Sequence, residues 1–341
     1  MHFLVTGHTG FKGSWLVLLL KQLGHEVSGI ALNPEEKSLF HEAQVSELLK
    51  NDFRIDIRNQ EELTKAVVSS GADVAIHLAA QSMVRDSYRN PSLTFETNVN
   101  GTMNFLRSTD KSDSIKSRLI VTTDKVYKNR NLTIPYVEED QLGGLDPYSA
   151  SKAMADILTQ SWMLNVSKKP TMIARAGNVI GGGDYSRERL LPGLLESYSQ
   201  NRVPVLRYPE AVRPWQHVLD CLYGYLFLLK ESHNNHPNRV FNIGPNLKDV
   251  KQVKEVAELV ALNLNSNLEW EREKKVEFQE QSWLVLDSSK IQNELSWKEA
   301  LDFNTSVLWV CQWHLRKLSG NNAKDLCRAQ ILDYLELQSK K

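Results

Sequence analysis

The chain is poor in cysteine. Cys221, Cys311 and Cys327 are the three cysteines among its 341 residues, and no two of them form a C-x-x-C pair. Their odd number and wide spacing argue against a disulfide framework and against a structural zinc site. We therefore expect a protein of the reducing cytoplasm that holds no metal ion.

Excess charge and long apolar runs are also missing. The 41 basic and 41 acidic residues cancel, which argues against nucleic acid or an anionic membrane as the main partner. The apolar stretch at 15–20 is far shorter than the roughly 20 residues that a membrane span needs. The first residues contain no basic segment followed by a long apolar run, so we expect no secretory leader.

Short β-rich apolar runs alternate with longer segments of helical period through the first half of the chain. This alternation predicts an α/β fold with a Rossmann-type, doubly wound parallel sheet. The predicted strands lie at 2–6, 26–32, 53–57, 73–79, 118–123 and 171–177, and the predicted helices at 11–23, 59–69, 91–109 and 147–166.

The pattern loosens after Gly177, and no clean linker marks a boundary. We expect one domain from residues 1–180 with about 214–245, and a smaller, interleaved C-terminal α/β domain from about 181–213 and 246–341. Two further strands are predicted at 239–244 and 283–287, and further helices at 216–231, 247–264, 288–294, 298–318 and 323–337.

Three glycines, Gly7, Gly10 and Gly13, follow the first predicted strand and open the first predicted helix. Glycines at this point let the backbone approach a pyrophosphate, whose charge faces the amide groups at the helix N-terminus. The spacing is G-x-x-G-x-x-G, and a tight structural turn is the alternative reading. A dinucleotide site is the preferred hypothesis.

The residues alone do not choose between NAD and NADP. An acidic residue at the end of the second strand favours NAD and an arginine favours NADP, whereas this strand ends in ALNP at 31–34. Asp56, after the third strand, is a candidate to meet the adenine amino group. Alternatively, it caps the helix that starts near Asn59.

Polar groups of three kinds, Thr123, Asp124 and Lys125, end the buried-looking strand RLIVT. Ligands bind at such strand ends in open α/β sheets, although a plain turn is the alternative. Tyr148 and Lys152 are spaced to share one face of a helix. A lysine ammonium and a nicotinamide cation beside the ring favour a phenolate, and lowering the tyrosine pKa by about 3 units requires roughly 4 kcal/mol.

The motifs together resemble the extended short-chain dehydrogenase/reductase family and, within it, the CDP-glucose 4,6-dehydratases. The similarity runs from Met1 to about Tyr334. The motifs are TGHTGFKG (6–13), HLAAQ (77–81), TNVNGT (97–102), TTDKVY (122–127), YSASK (148–152), RAGNVIGGGD (175–184) and RPWQHV (213–218).

The resemblance implies an internal redox dehydration of a nucleotide-linked hexose in deoxysugar biosynthesis. Tyr148 would take the 4-hydroxyl proton while a hydride leaves C4 for NAD; water is lost across C5 and C6, and the hydride returns to C6. Thr123 would bond the 4-oxygen and Asp124 would protonate the leaving 6-hydroxyl. Lys125 stands where dTDP-sugar dehydratases place a glutamate base; it is either a neutral base at C5 or a fixed cation.

The resemblance also implies binding residues for the first domain, which would hold NAD, and for the second, which would hold the sugar nucleotide. For the cofactor they are Gly7, Thr9, Gly10, Phe11, Lys12, Gly13, Asp56, Ile57, Leu78, Ala79, Ala80, Gln81, Thr97, Thr122, Tyr148 and Lys152. For the substrate they are Ser82, Arg85, Asn178, Arg189, Leu190, Arg213 and Trp215. Arginines suit phosphate, whereas Trp215 either covers the nucleotide or packs between domains.

The sequence departs from the family pattern at several positions, and it also leaves two rival functions open. Val126 and Lys128 replace a usual Cys and Glu, and RYP at 207–209 replaces RNP, which leaves room for another nucleotide or hexose. The rivals are a sugar-nucleotide 4-epimerase and a non-catalytic dinucleotide-binding protein. His217 and Asp220 are expected to cap and pack a helix. Helices 91–109 and 147–166 are expected to form a homodimer or tetramer interface.

Overall fold

The computed structural model describes residues 1–130, 132–186, 188–232, 239–275 and 281–340. Its strands are β1 His2–Thr6, β2 Glu26–Ala31, β3 Asn51–Arg54, β4 Val74–His77, β5 Ser117–Thr123, β6 Thr171–Ala176, β7 Val179–Ile180, β8 Val205–Leu206, β9 Val212–Arg213, β10 Gln216–His217, β11 Val240–Ile243, β12 Lys251–Gln252 and β13 Glu271–Arg272.

The α-helices alternate with the longer strands. They are α1 Phe11–Gln22, α2 Leu39–Glu42, α3 Gln60–Ser70, α4 Val84–Arg89, α5 Pro91–Phe95, α6 Gly101–Asp110, α7 Pro147–Asn165, α8 Leu190–Ser199, α9 Val218–Ser232, α10 Val253–Asn263, α11 Ser289–Leu295, α12 Phe303–Leu318 and α13 Ala323–Ser339. No helix in the described ranges is long and apolar enough to span a membrane.

Seven strands form one central sheet in the order β11-β6-β5-β4-β1-β2-β3. Every neighbouring pair in it is parallel. The chain runs outward from β1 in both directions, so the strand order reverses between β1 and β4. The predicted doubly wound parallel sheet is confirmed, and ligands bind at the carboxyl ends beside such a reversal.

Alternating side chains of the strands pack against helices on two faces of the sheet. Val5 and Val121 belong to a core with α1 and α9, whereas Leu4 and Ile120 belong to a core with α3 and α6. Strands buried on both faces read as continuous apolar runs. This explains why HFLVT and RLIVTT were recognised as strands.

A separate apolar cluster lies beyond the sheet and is built by α8, α10 and α12. It includes Trp215 and Ile180, which join it to the strand ends. By contrast, the last helix, α13, places Leu326 and Ile331 in the core that α1 shares. The second half of the chain therefore contributes to both cores.

The predicted strand at 283–287 is wrong. Only Trp283 and Leu286 form isolated bridges there, to Val212 and Tyr136. The segment crosses from the two-residue strand β9 to the loop that contains Tyr136, so its backbone bonds to two different partners instead of to one neighbouring strand. Apolar alternation alone does not distinguish this crossing from a strand.

Several helix ends also differ from the prediction, and the cause is capping. The helix expected from 247 begins at Val253, where Gln252 and Glu255 form a capping box. The helix expected from 298 begins at Phe303, with Asp302 as its N-cap. Helix α8 was not predicted, because proline and glycine interrupt its sequence. The helix expected at 91–109 is present and contains a π-turn at Glu96–Asn100.

A buried ion pair ties α7 to β6 underneath the strand ends. Arg175 is 1% exposed and Asp156 is 0% exposed, with Nη2 of the arginine 2.8 Å from Oδ1 of the aspartate. The Thr122 hydroxyl of β5 donates to Asp156 Oδ2 at 2.9 Å, and Arg175 Nε donates to the same oxygen at 2.9 Å. Three elements are therefore fixed relative to one another through one carboxylate.

We predict that Asp156→Asn lowers the free energy of unfolding by about 3 to 5 kcal/mol, because it leaves the Arg175 charge buried without a counter-ion. Urea unfolding followed by circular dichroism measures this. Glu61→Gln is the matched control, since its pair with Lys65 is exposed and exposed pairs contribute little. Equal, small effects of the two substitutions would contradict the account.

Candidate active site

The glycine loop after β1 is shaped by two close backbone approaches. Gly7 has φ of +72°, and a Cβ on it would lie 2.8 Å from the Ala79 nitrogen. A Cβ on Gly13 would lie 2.2 Å from the Gly7 carbonyl oxygen. Helix α1 starts at Gly10 with neither a capping side chain nor an acidic residue in its first turn. The loop therefore offers an uncapped helix N-terminus, which attracts anions.

A cleft of about 1300 Å³ runs along the carboxyl ends of the strands from this loop. The structure places every site residue predicted from the sequence in its wall: Gly7, Thr9, Gly10, Phe11, Lys12, Gly13, Asp56, Ile57, Leu78, Ala79, Ala80, Gln81, Ser82, Arg85, Thr97, Thr122, Thr123, Asp124, Lys125, Tyr148, Lys152, Asn178, Arg189, Leu190, Arg213 and Trp215. Side chains from distant parts of the sequence are thus brought together in one volume.

The segment after β4 is held by side chains on both sides of it. The Thr6 hydroxyl accepts hydrogen bonds from the Leu78 and Ala79 amides, each at 3.2 Å. Asn98 receives the Gln81 amide at 2.8 Å and donates to the Gln81 carbonyl at 3.0 Å. These bonds fix the floor of the cleft opposite the glycine loop.

Asp56 lies two residues beyond β3 and does not cap α3. Its carboxylate is bound by the Arg58 side chain, with Nη2 at 2.6 Å, and this bond lowers the pKa of Asp56. Asn59 is the N-cap of α3. The capping alternative is therefore wrong, whereas the carboxylate faces the cleft. At the end of β2, the Leu32 carbonyl accepts bonds from Thr9 and Arg54.

Thr123 ends β5, and its hydroxyl caps the 3₁₀ turn Asp124–Val126. It donates to Asp124 Oδ1 at 2.9 Å. The other oxygen, Oδ2, is buried and has no hydrogen-bond partner in the described ranges. Burial raises the pKa of Asp124, and the positive charge of Lys125 is the main opposing influence. The site therefore holds a carboxyl group biased toward its protonated, proton-donating form.

The space beside Asp124 Oδ2 depends on Gly177. A Cβ on Gly177 would lie 2.5 Å from Pro214 Cγ and 3.2 Å from Asp124 Oδ2. The end of β6 and the RPW segment therefore approach the carboxyl group closely, which keeps water away from it.

Tyr148 and Lys152 enter the cleft from the first turns of α7. Asp146 caps this helix by accepting the Ser149 amide, with Pro147 at its first position. Lys152 Nζ donates to the Val121 carbonyl of β5 at 2.8 Å. Burial lowers the pKa of Lys152 to about 8, and the Lys12 charge adds to the effect.

The expected lowering of the Tyr148 pKa relies on the charges of Lys152 and of a nicotinamide ring together, and the protein alone lacks the second of these charges. Burial raises the pKa of Tyr148 to about 12, and a hydrogen bond with Thr123 opposes that rise. The ammonium group of Lys152 is engaged by the Val121 carbonyl, so it does not offset the loss of solvation. A phenolate at neutral pH therefore needs further positive charge beside the ring.

Arginines surround the far end of the cleft. Arg189 pairs with Asp184 at 3.1 Å, and buried Arg213 donates to the Val212 carbonyl at 2.9 Å. Arg207 also lines the cleft and donates to the Glu188 carbonyl at 3.2 Å. Sequence reasoning did not select Arg207, although the RYP segment that contains it was noted as a departure from the family pattern.

Aromatic and polar residues of the RPWQHV segment mostly serve packing. Trp215 is 4% exposed and donates to the Lys251 carbonyl at 3.2 Å, while one side of it reaches the cleft. His217 accepts the Leu219 amide at 3.3 Å. Asp220 accepts the Ala300 amide at 2.6 Å. His217 thus binds the first turn of α9, as expected, whereas Asp220 lies within α9 and binds the amides of Ala300 and Leu301 instead of capping the helix.

We predict that Gly10→Ala weakens NAD binding at least tenfold while leaving the melting temperature nearly unchanged. Its Cβ would make only an ordinary contact, 3.4 Å from the Gly7 carbonyl oxygen, yet would occupy the approach to the helix N-terminus. Gly13→Ala is the matched comparison, because its clash inside the loop should lower both stability and binding. Calorimetric titration and thermal unfolding measure the two effects. Unchanged NAD affinity in Gly10→Ala would contradict the close approach.

Three comparisons with known proteins agree with this geometry. A CDP-glucose 4,6-dehydratase from Salmonella typhimurium is 33% identical over 98% of this chain and 96% of its own length. The solved dTDP-glucose 4,6-dehydratase of Bacillus anthracis, in complex with NAD, has 25% identity and a TM-score of 0.80, covering 94% of this chain and 98% of that one. A UDP-glucose-4-epimerase from Stenotrophomonas maltophila with bound NAD has a TM-score of 0.83 over 94% of this chain and 100% of that one.

The epimerase is 18% identical, so its likeness shows the fold alone. Residues 3–244 match the family described as the NAD dependent epimerase/dehydratase family. The resemblance drawn from the sequence motifs is thereby confirmed at the level of the family, and with it the dependence on NAD. This chain belongs to the NAD-dependent epimerase/dehydratase family.

Proposed function

We propose that this chain is a nucleotide-sugar 4,6-dehydratase, a lyase that converts CDP-glucose to CDP-4-keto-6-deoxyglucose in deoxysugar biosynthesis. The observation that carries this proposal is the buried Asp124 carboxyl group, whose free oxygen stands in the same cleft as Tyr148 and Lys152. The dehydratase from Salmonella typhimurium supports the choice of CDP-glucose. Incubation with CDP-, dTDP-, GDP- and UDP-hexoses tests it by the mass loss of one water. Loss of water from another nucleotide sugar, but not from CDP-glucose, would contradict the choice of substrate.

The first chemical task is to remove the proton of the 4-hydroxyl group. Thr123 and Tyr148 share a hydrogen bond, so both oxygens can face the 4-oxygen of a bound hexose. Bound NAD would supply the acceptor for the C4 hydride, which returns to C6, and the positive charge of its oxidised ring. That positive charge would offset the burial that holds the proton on Tyr148.

The second task is to expel the 6-hydroxyl group as water. A leaving hydroxide needs a proton, and Asp124 is the buried acid that can supply it, since burial raises its pKa. Lys125 follows it on the same 3₁₀ turn. As a neutral amine it would remove the C5 proton; as an ammonium it would stabilise the developing enolate. We favour the base role.

The cleft has donors for a nucleotide diphosphate. Arg189 and Arg213 were assigned to the phosphates from the sequence, and Arg207 adds a third guanidinium group to the same wall. Guanidinium groups bind phosphate through two parallel N–H bonds. Asn178 would add a polar contact to the nucleotide, Ser82 would add one near the hexose or the pyrophosphate, and Trp215 would offer an apolar surface.

Two rival functions account for fewer of the residues in the cleft. A 4-epimerase shares the fold and the Tyr148 and Lys152 pair, but it needs no acid at the 6-hydroxyl group, so a buried Asp124 would have no task. A non-catalytic dinucleotide-binding protein would not require Thr123, Asp124 and Lys125 to meet that pair in one cleft.

We also propose a homodimer, or a tetramer built from it, through α5, α6 and α7. Met154, Ile157 and Leu164 stand on α7 with 47%, 54% and 77% of their surface exposed. A second copy would cover this apolar stripe. Light scattering at micromolar concentration should give at least a dimer, and a strict monomer would contradict the proposal.

The division into two domains and the cellular compartment are also proposals. Residues 1–180 with about 214–245 would bind NAD, and about 181–213 with 246–341 would bind the sugar nucleotide; α13 would support the first unit, since it packs against α1. The three cysteines are free, which suits a reducing cytoplasm.

Asp124→Asn should allow oxidation at C4 but block the loss of water, because an amide cannot protonate the 6-hydroxyl group. We expect reduced nicotinamide to accumulate in a single turnover, with overall dehydration slowed at least a hundredfold. Tyr148→Phe is the matched variant and should show neither dehydration nor reduced nicotinamide. Absorbance at the reduced nicotinamide band distinguishes the two. Dehydration by Asp124→Asn at the parent rate would remove the proposed acid.

Lys125→Met and Lys125→Arg separate the two roles of this lysine. If it is the base, both variants should stop exchange of the C5 proton with solvent deuterium, because arginine keeps its proton. If it is a fixed cation, Lys125→Arg should keep substantial activity and exchange. Nuclear magnetic resonance of the C5 position follows the exchange. An active arginine variant would overturn the base assignment and leave the electrostatic role.

A further inference from the structure

Lys12 is a charged residue of the cleft that the proposed reaction does not use. It is the second residue of α1, inside the glycine loop, and its side chain lines the cleft. Its Nζ donates to the Tyr225 hydroxyl of α9 at 3.3 Å, and Tyr225 is 0% exposed. Within the described ranges, Lys12 forms no ion pair with a carboxylate. Burial lowers the pKa of Lys12, and a charge on this amine is therefore not balanced by a paired carboxylate in those ranges.

The position of Lys12 brings a second lysine to the strand ends from the opposite face of the sheet. Helices α1 and α9 pack on one face, whereas α7, which carries Lys152, packs with α6 on the other. The influence of Lys12 reaches the residues proposed to react. After burial, its charge is the largest cause that lowers the pKa of Lys152, and it also counteracts the raised pKa of Asp124.

We propose that Lys12 maintains a positive charge at the reacting end of the cleft that favours the reduced form of the bound dinucleotide over the oxidised form. The inference rests on the proposed function only in taking the dinucleotide to be NAD and Thr123, Asp124, Tyr148 and Lys152 to mark the reacting end. The oxidised nicotinamide ring carries a positive charge, whereas the reduced ring is neutral. A neighbouring cation repels the first and leaves the second unaffected.

This role differs from that of an ordinary phosphate contact. A lysine bound to the pyrophosphate would attract both forms of the dinucleotide equally, because their phosphates are identical. A lysine that acts on the ring changes the ratio of the two affinities. That ratio sets how readily the C4 hydrogen of a substrate can be removed as hydride, which is the first step of the proposed reaction.

The test compares the dissociation constants of NAD and NADH for the full chain, without a nucleotide sugar. In Lys12→Met the ratio of the NADH constant to the NAD constant should rise about tenfold, the order expected for one charge acting over roughly 10 Å through protein. A tenfold change corresponds to about 30 mV for a two-electron couple. Lys12→Arg keeps the charge and should stay within about twofold of the parent ratio.

Two further variants keep the test decisive. Lys12→Gln retains a polar group beside Tyr225 and should give the same shift as Lys12→Met, so a folding defect of the methionine variant does not end the test. Lys21→Met is the matched control, because Lys21 lies exposed near the end of the same helix. Its ratio should equal that of the parent.

An unchanged ratio in Lys12→Met and Lys12→Gln overturns the inference. If the affinities for NAD and NADH weaken equally, Lys12 contacts the pyrophosphate. If neither affinity changes, the Lys12 amine is uncharged. A failure of the proposed function can be told apart from a failure of this inference, because no sugar nucleotide takes part in the binding test. A chain that shows the shift but fails to dehydrate any nucleotide hexose would refute the dehydratase proposal and retain this role for Lys12.

Discussion

The buried ion pair between Asp156 and Arg175 fixes the elements on which the rest of the site depends. Asp156 lies one helical turn beyond Lys152 on α7, Arg175 lies two residues before Gly177 on β6, and the Thr122 hydroxyl of β5 joins the same carboxylate. Thr123, Lys152 and Gly177 therefore keep their relative positions through one set of charged hydrogen bonds. Such a pair loses much solvation and holds only if all its partners remain in place.

Loss of solvation also decides the chemistry at the strand ends. The same burial raises the pKa of Asp124 and of Tyr148 and lowers that of Lys152. A raised pKa favours the protonated form of Asp124, which is the form that can donate to a leaving hydroxyl group. A phenol that keeps its proton does not suit a base, so the tyrosine requires cations around it. Lys152 bonds to the Val121 carbonyl, so this further positive charge would come from a bound ligand.

Much of this arrangement could be read from the sequence. The glycine loop, the strand ends at Thr123 and the Tyr148 to Lys152 spacing each follow from local rules of backbone conformation and helix geometry. Residues that meet only through the fold were harder to find. Arg207 sits in a proline-rich segment without helical or strand period, so nothing local indicated that it would reach the cleft.

The errors have a common physical origin. The segment at 283–287 has the composition of a strand, but its backbone partners, Val212 and Tyr136, come from two separate parts of the chain. The pKa of Tyr148 was expected to fall through Lys152 together with a nicotinamide cation, yet in the protein alone the ammonium group of Lys152 bonds to the Val121 carbonyl. In both cases, the outcome depended on tertiary partners that neither composition nor spacing specifies.

The central claim is that one set of strand-end residues moves a hydride within a single hexose, from C4 to C6, while water is lost between them. Incubation with CDP-glucose carrying deuterium at C4 tests it most directly. We expect a product lighter by one water, with the deuterium at C6 of the same molecule and no transfer between labelled and unlabelled substrate. Return of the deuterium to C4 without loss of water would identify an epimerase and contradict the account.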